Sequence, residues 1–170
     1  DGVASNTFSE NCSYLANDGQ MFFGGISGLT YFYPTNIFLN RYQPKVFITN
    51  LKINNKDVRV GQVIGKNIIL SKSLFLTNRI ELSYKENIIS FSFAALDFHA
   101  SNKNQYRYKL EGLDKNWVSA GNRRSVTYTN LASGSYTLKV KASNSDQIWT
   151  AGEASLIISI LPPPWKTWWA

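Results

Sequence analysis

The chain has little of what catalytic and metal sites are made from. Its 170 residues include one cysteine, Cys12, and one histidine, His99. A single thiol excludes an internal disulfide and any cysteine-based metal cluster. The lone imidazole excludes a two-histidine metal site. Its setting, Asp97-Phe98-His99-Ala100, is a loop following an apolar strand and not the makings of a catalytic triad. Acidic residues number eleven. Asp97, Glu111 and Asp114 are candidates for a paired-carboxylate site by position alone. Turn capping accounts better for Glu111 and Asp114, and also for Asp146 in Asn144-Ser145-Asp146. Gly24, Gly25 and Gly28 do not lie between a buried strand and a helix, so they make no phosphate loop. No catalytic residue, metal or cofactor is expected.

Helical periodicity and long apolar runs are also missing. Almost no helix is therefore expected, and no membrane span within the chain. It opens at Asp1 without a signal peptide and reads as a piece cut from a longer protein. Charge is lopsided, with eighteen basic residues and a net charge of +7. The basic residues are dispersed, and the longest run is Arg123-Arg124. That pattern fits a soluble basic surface and not a nucleic-acid groove.

Aromatics are plentiful: ten Phe, nine Tyr and five Trp. The most ordered pattern lies in residues 105–144. Tyr106, Tyr108 and Leu110 alternate with charged residues, as do Tyr136, Leu138, Val140 and Ala142. A period of two puts each set on one buried face of a strand, with Arg107 and the lysines on the watered face. Turn signals separate the two strands. The last, Leu131-Ala132-Ser133-Gly134, leads into Tyr136, which is the chemistry of a tyrosine corner, the ring in the core and the hydroxyl on nearby backbone.

The remainder is also strand-like. Residues 12–16 and 20–24 flank an Asn17-Asp18-Gly19 turn, and residues 28–33 follow, a unit too small to bury its own faces. Residues 36–43 read as a linker. Residues 45–54 carry Val46, Ile48, Leu51 and Ile53, with a change of parity at Thr49-Asn50 that predicts a bulge. Short strands are expected over 58–64 and 67–70. Residues 79–84 and 87–95 read as a pair joined at Lys85-Glu86, and residues 154–161 as the final strand. The expected fold is all-β: an immunoglobulin or fibronectin-III-like two-sheet antiparallel sandwich over 44–161.

The strings YRYKLEGLDKNW and RRSVTYTNLASGSYTLKVKASN resemble the three-tyrosine (Y_Y_Y) domain of large bacterial two-component regulators. On that resemblance the named tyrosines are Tyr108, Tyr128 and Tyr136, with Leu110, Gly112, Trp117, Leu131 and Gly134 as structural companions. Upstream, ASNTF, DGQMFFGG and SGLTYFYP are similar to the last blade of the β-propeller that precedes such domains. Residues 1–40 are then a propeller-blade fragment and linker. The resemblance implies a non-catalytic periplasmic module of a two-component sensor, part of an inner-membrane protein. Such a module couples ligand sensing by the propeller to a transmembrane helix and forms a homodimer. The ligand, a carbohydrate among the candidates, would sit on propeller blades absent here, and a histidine kinase or other output would lie elsewhere in the parent.

The C-terminal segment, residues 162–170, points the same way. Pro162, Pro163 and Pro164 favour a stiff polyproline rod. Trp165, Trp168 and Trp169 then crowd around Lys166, a composition selected by membrane–water interfaces. The competing reading is a tail that packs back on the sandwich. Exposed Tyr14, Tyr31, Tyr33 and Trp117 would suit sugar stacking, and hence a carbohydrate-binding accessory module of a secreted protein. An adhesion scaffold is the third reading. For Trp117, a place in the core or at the corner is the stronger expectation.

Overall fold

A computed structural model of the chain describes residues 7–38, 40–65, 67–97 and 100–164. These are all-β apart from two single-turn 3-10 helices, Pro34–Asn36 and Leu74–Leu76. The chain divides into two compact units, Asp1–Leu39 and Asn40–Ala170.

In the first unit, β1 (Phe8–Leu15), β2 (Met21–Gly25) and β3 (Gly28–Phe32) form one antiparallel sheet in that order. The first turn closes through Ala16 N–H to Gln20 O at 2.9 Å, with Gly19 at φ +85°. Asp18 caps it, accepting from Gln20 N–H and from Tyr33 Oη. These bonds, the backbone one foremost, hold the Asp18 carboxyl below its usual range. Rings run across all three strands in two chains: Phe8–Phe23–Phe32 and Tyr14–Phe22–Tyr31. Phe22 and Phe23 are successive strand residues, so the two chains lie on opposite faces. Both faces of this small sheet are therefore aromatic.

The second unit is a sandwich. One sheet has the order β12-β9-β4-β5, made of β4 (Lys45–Ile53), β5 (Lys56–Asp57), β9 (Ile88–Leu96) and β12 (Ser125–Thr129). The other has the order β11-β10-β13-β14-β8, made of β8 (Arg79–Ser83), β10 (Gln105–Glu111), β11 (Val118–Gly121), β13 (Gly134–Ser143) and β14 (Ala154–Leu161). A small hairpin, β6 (Val63–Ile64) with β7 (Asn67–Ile68), lies outside both.

The core follows the alternation in the sequence. Ile89, Phe91 and Phe93 of β9 face Leu138, Val140 and Ala142 of β13, all buried within one cluster. Val46, Ile48, Leu51 and Ile53 join from β4, where the pairing with β9 shifts between Ile48 and Asn50. That shift is the expected bulge; it keeps both halves of the strand facing the core.

Two local expectations do not hold. β8 and β9 are not a hairpin, because residues 84–87 carry the chain from one sheet to the other. β8 lies parallel to β14, with Ile80 beside Ile158 and Leu82 beside Ile160. The sandwich is thus antiparallel except for this pair. The apolar alternation of β8 fits either partner equally, so only the fold decides. Residues 58–64 are also not a strand as a whole. Val58 is buried and bonded to Leu51 O, but the chain turns at Gly61, φ +77°, and only Val63–Ile64 pair.

The topology gives the sandwich a direction. Lys45 opens β4 opposite Leu96, at the same end as Gln105 and Ser143. Leu161 closes β14 opposite Ser83, at the end where Gly134 pairs with Ile160. The chain enters at one end and leaves at the other. The ten residues of β13, at ~3.3 Å each, put these ends roughly 30 Å apart.

Candidate functional site

The three named tyrosines gather on the turn between β10 and β11, at the exit end. That turn is closed by Leu113 N–H and Asp114 N–H, both donating to Leu110 O. Asp114 folds back so that Oδ2 accepts from Leu110 N–H at 2.8 Å and from Tyr128 Oη at 3.5 Å. Tyr108 meets Tyr128 edge to face, with ring centroids 6.3 Å apart. Gly112, at φ +99°, passes beneath Tyr136, and a Cβ there would lie 2.9 Å from Tyr136 Cδ1. Tyr136 Oη donates to Ala132 O at 3.0 Å, the bond of a tyrosine corner. Leu110 is fully buried, Leu131 packs on the core edge, and Gly134 opens β13 next to the Tyr136 ring. These side chains brace one end of the sandwich. They form no open cleft with a nucleophile or base.

Removing only the corner hydroxyl tests that bracing. Tyr136→Phe should lower stability by about 1 kcal/mol, because Ala132 O loses a half-buried donor while the ring stays; chemical denaturation would measure it. Tyr128 gives a pH test. Burial foremost, then the Asp114 charge, raises its hydroxyl far above the ordinary phenol range. The neutral phenol is thus favoured by the fold, and its contribution is complete below pH about 10 and falls as pH rises beyond that value. The stability difference between wild type and Tyr128→Phe should therefore shrink in alkaline titration above pH about 10.

A second constellation pins the chain where it enters. Asn144, fully buried, uses both ends of its amide. Nδ2 donates to Asn40 O and to Tyr42 O, and Oδ1 accepts from Asp146 N–H and Ile148 N–H. Asp146 Oδ2 in turn accepts from Asn40 N–H at 2.6 Å. Residues 40–42, expected as linker, are thereby tied to the end of β13. Asp146 was expected as a turn former alone; the tie across more than a hundred residues has no local signature.

The outer face of the five-stranded sheet is less watered than expected. The Arg107 guanidinium lies 4.3 Å from the Trp149 ring centre, and the Lys141 ammonium 5.1 Å from that of Trp117. Arg107 and Lys141 are direct cross-strand partners, a like-charge pair that the two indoles offset. Lys139 bridges Glu111 and Glu153, each at 3.0 Å, and Glu153 foremost, then Glu111, raises its ammonium above the usual lysine range. Trp117 is thus not in the core or the corner. It is 36% exposed, because the chain leaving the Asp114 turn delivers it to the outer face. Each indole already carries a cation, so neither is a bare sugar platform. Tyr14 and Tyr31 are exposed in the first unit.

Pro162, Pro163 and Pro164 follow β14 out of the exit end. His99, Trp165, Trp168 and Trp169 lie outside the described residues. Among the described residues no group of three or more His, Cys, Asp and Glu is placed to hold a metal. No helix among them is long and apolar enough to cross a membrane.

Comparison with known proteins finds similar structures in the extracellular domains of two-component systems. The chain is 28% identical to the extracellular domain of the hybrid two-component system BT3049 from B. thetaiotaomicron, with a TM-score of 0.73 over 94% of this chain and 21% of that one. The extracellular domain of BT4673 from B. thetaiotaomicron is 30% identical, with a TM-score of 0.61 over 90% of this chain and 20% of that one. Residues 97–161 match the Y_Y_Y domain family. It is 36% identical along its whole length to Histidine kinase P4 of Formosa agariphila, of which it spans 12%. In such proteins the Y_Y_Y domain is a non-catalytic extracellular module of signal transduction, and the kinase is carried elsewhere.

Proposed function

We propose that the sandwich is an in-line mechanical coupler. A displacement of the preceding segment enters at residues 40–42 and is delivered at Pro162, toward a membrane-spanning helix further along the parent chain. The single observation that carries this reading is the path of the chain, in at one end of the sandwich and out at the other. The Asn144 clamp takes up slack at the first end and the tyrosine-braced turn stiffens the second. Proline at 162–164 prolongs the stiffness, whereas a Gly/Ser segment would absorb the motion. The first unit fits a blade of a sensing β-propeller, since a blade packs both faces on its neighbours and both faces of this sheet carry aromatic rings. The module would work on the periplasmic side of an inner-membrane sensor, with the ligand on the remaining blades.

Signalling by rearrangement needs a partner against which to move, and a second copy of the chain is the proposed one. The first half of β4, residues 45–48, supports this. β5 pairs with Lys52 and Ile53, and among the described residues no strand pairs with Lys45 to Ile48 on that side, where Phe47 is half-buried. A hollow of about 410 Å³ lies beside it, between Val46, Phe47 and Gly152. Sedimentation across concentration, on this chain and on a form starting at Pro44, tests the pairing. Dimers of both forms are expected. Dimers of the longer form alone would move the contact to the first unit, and monomers of both would remove pairing from the account.

A further inference from the structure

The exit end carries an apolar feature that neither the core nor the three-tyrosine turn uses. In the β6–β7 hairpin, Val63 and Ile68 are direct partners, so both side chains lie on one face, and they are 63% and 55% exposed. The other face is used normally, because Ile64 packs on the core. Beneath the hairpin is a hollow of about 330 Å³ whose lining includes Ile64, Ile69, Tyr84 and Lys85 together with Glu81 and Glu86. The Lys85 ammonium sits 5.8 Å from the Tyr84 ring centre. Leu161 and Leu113, at the same end, are also exposed.

Charge adds to this. Asp1, Glu10 and Asp18 are the only charged residues before Arg41, so the second unit holds all eighteen basic residues and eight acidic ones. The dispersed basic surface expected from the sequence is thus confined to one unit. At the exit end Lys56, Lys85 and Lys115 are exposed, each next to an acidic residue, Asp57, Glu86 and Asp114. Exposed aliphatics, a tyrosine and lysines whose stems lie along apolar surface are what the boundary between headgroups and acyl chains accepts. The chain leaves this same end toward a segment whose sequence, Trp165-Lys166-Thr167-Trp168-Trp169, has that composition again.

We infer that the β6–β7 hairpin, with Tyr84 and Lys85, is a membrane-resting surface that seats the sandwich on an anionic phospholipid bilayer. This rests on the reading that the exit end faces the membrane. Val63 and Ile68 would dip into the interface while Lys85 meets lipid phosphates, so the hairpin would orient the sandwich where the proline segment alone sets only its distance. A peptide or protein partner at the hairpin is the alternative that the test separates.

The test is co-sedimentation of the 170-residue chain with phosphatidylcholine vesicles and with phosphatidylcholine–phosphatidylglycerol vesicles, with tryptophan fluorescence read on the same samples. The wild type should partition more strongly to the anionic vesicles. The double variant Val63→Asn and Ile68→Asn changes exposed side chains only and should keep the fold, checked by its unfolding transition. Its vesicle partitioning should fall about tenfold, as removal of two interfacial aliphatics predicts. Lys85→Glu should cut the preference for anionic vesicles about fivefold or more and leave binding to neutral ones nearly unchanged. Wild-type partitioning by the double variant, with a fluorescence blue shift still present, would overturn the hairpin's role and leave the membrane-proximal reading standing. Absence of both partitioning and blue shift would overturn both.

Discussion

Gly112→Ala should be among the most damaging single changes on the surface of the sandwich, with a loss of about 3 kcal/mol. Two costs combine. The backbone at Gly112 has φ +99°, a region L side chains rarely adopt, and the new methyl carbon would meet Tyr136 Cδ1 at 2.9 Å. Tyr136 cannot simply swing away, because its hydroxyl is tied to Ala132 O and its ring closes the core edge. Relief would mean giving up the corner or opening the turn that Asp114 holds shut. A control separates the two costs. Gly121 also has positive φ, +61°, but nothing lies within 4 Å of its missing Cβ. Gly121→Ala should therefore show the backbone cost alone, about 1 kcal/mol. Thermal unfolding would measure both, with a fall in Tm of roughly 10 °C expected for Gly112→Ala. Equal effects at the two positions would mean that the contact with Tyr136 contributes nothing.

The second large effect belongs to Asn144→Ala. The substitution removes two donors and two acceptor contacts at once from a fully buried position. It leaves two carbonyls and two N–H groups to find water, for a loss of about 3 kcal/mol. It should also free residues 40–43, seen as faster hydrogen exchange there while the exchange of β13 and β14 changes only with global stability. Asp146→Asn keeps an oxygen for Asn40 N–H and should cost under about 1 kcal/mol. If Asn144→Ala left exchange at residues 40–43 as it was, the clamp would not be what holds the incoming chain.

These two sites show where the sequence is informative. The tyrosine corner could be read from it because leucine, glycine turn and tyrosine are adjacent, and both ends of the hydrogen bond lie within four residues. The strands of the core could be read because period two survives in Ile89, Phe91, Phe93 and in Tyr136, Leu138, Val140. What stayed hidden depends on distant partners. Asn144 reads as one more polar turn residue until residues 40–42 are placed against it. The parallel β8–β14 pair is invisible because Ile80 and Leu82 would alternate identically beside any neighbour. Trp117 shows the limit of composition: a large ring predicts burial, yet Lys141 and the turn after Asp114 hold it on the outer face. Exposed Val63 and Ile68 escaped because two short strands give too few residues for a pattern.

The coupler reading stands or falls on whether the two ends of the sandwich move as one. Spin labels at Arg41→Cys and Leu161→Cys, in a Cys12→Ser background, allow the distance between them to be measured by pulsed electron paramagnetic resonance. The account predicts one narrow distribution centred at roughly 30 Å, the span of β13, and a broad one when Asn144→Ala is added. A broad distribution in the clamped chain would contradict it, because a displacement arriving at residues 40–42 would then be lost before it reached Pro162.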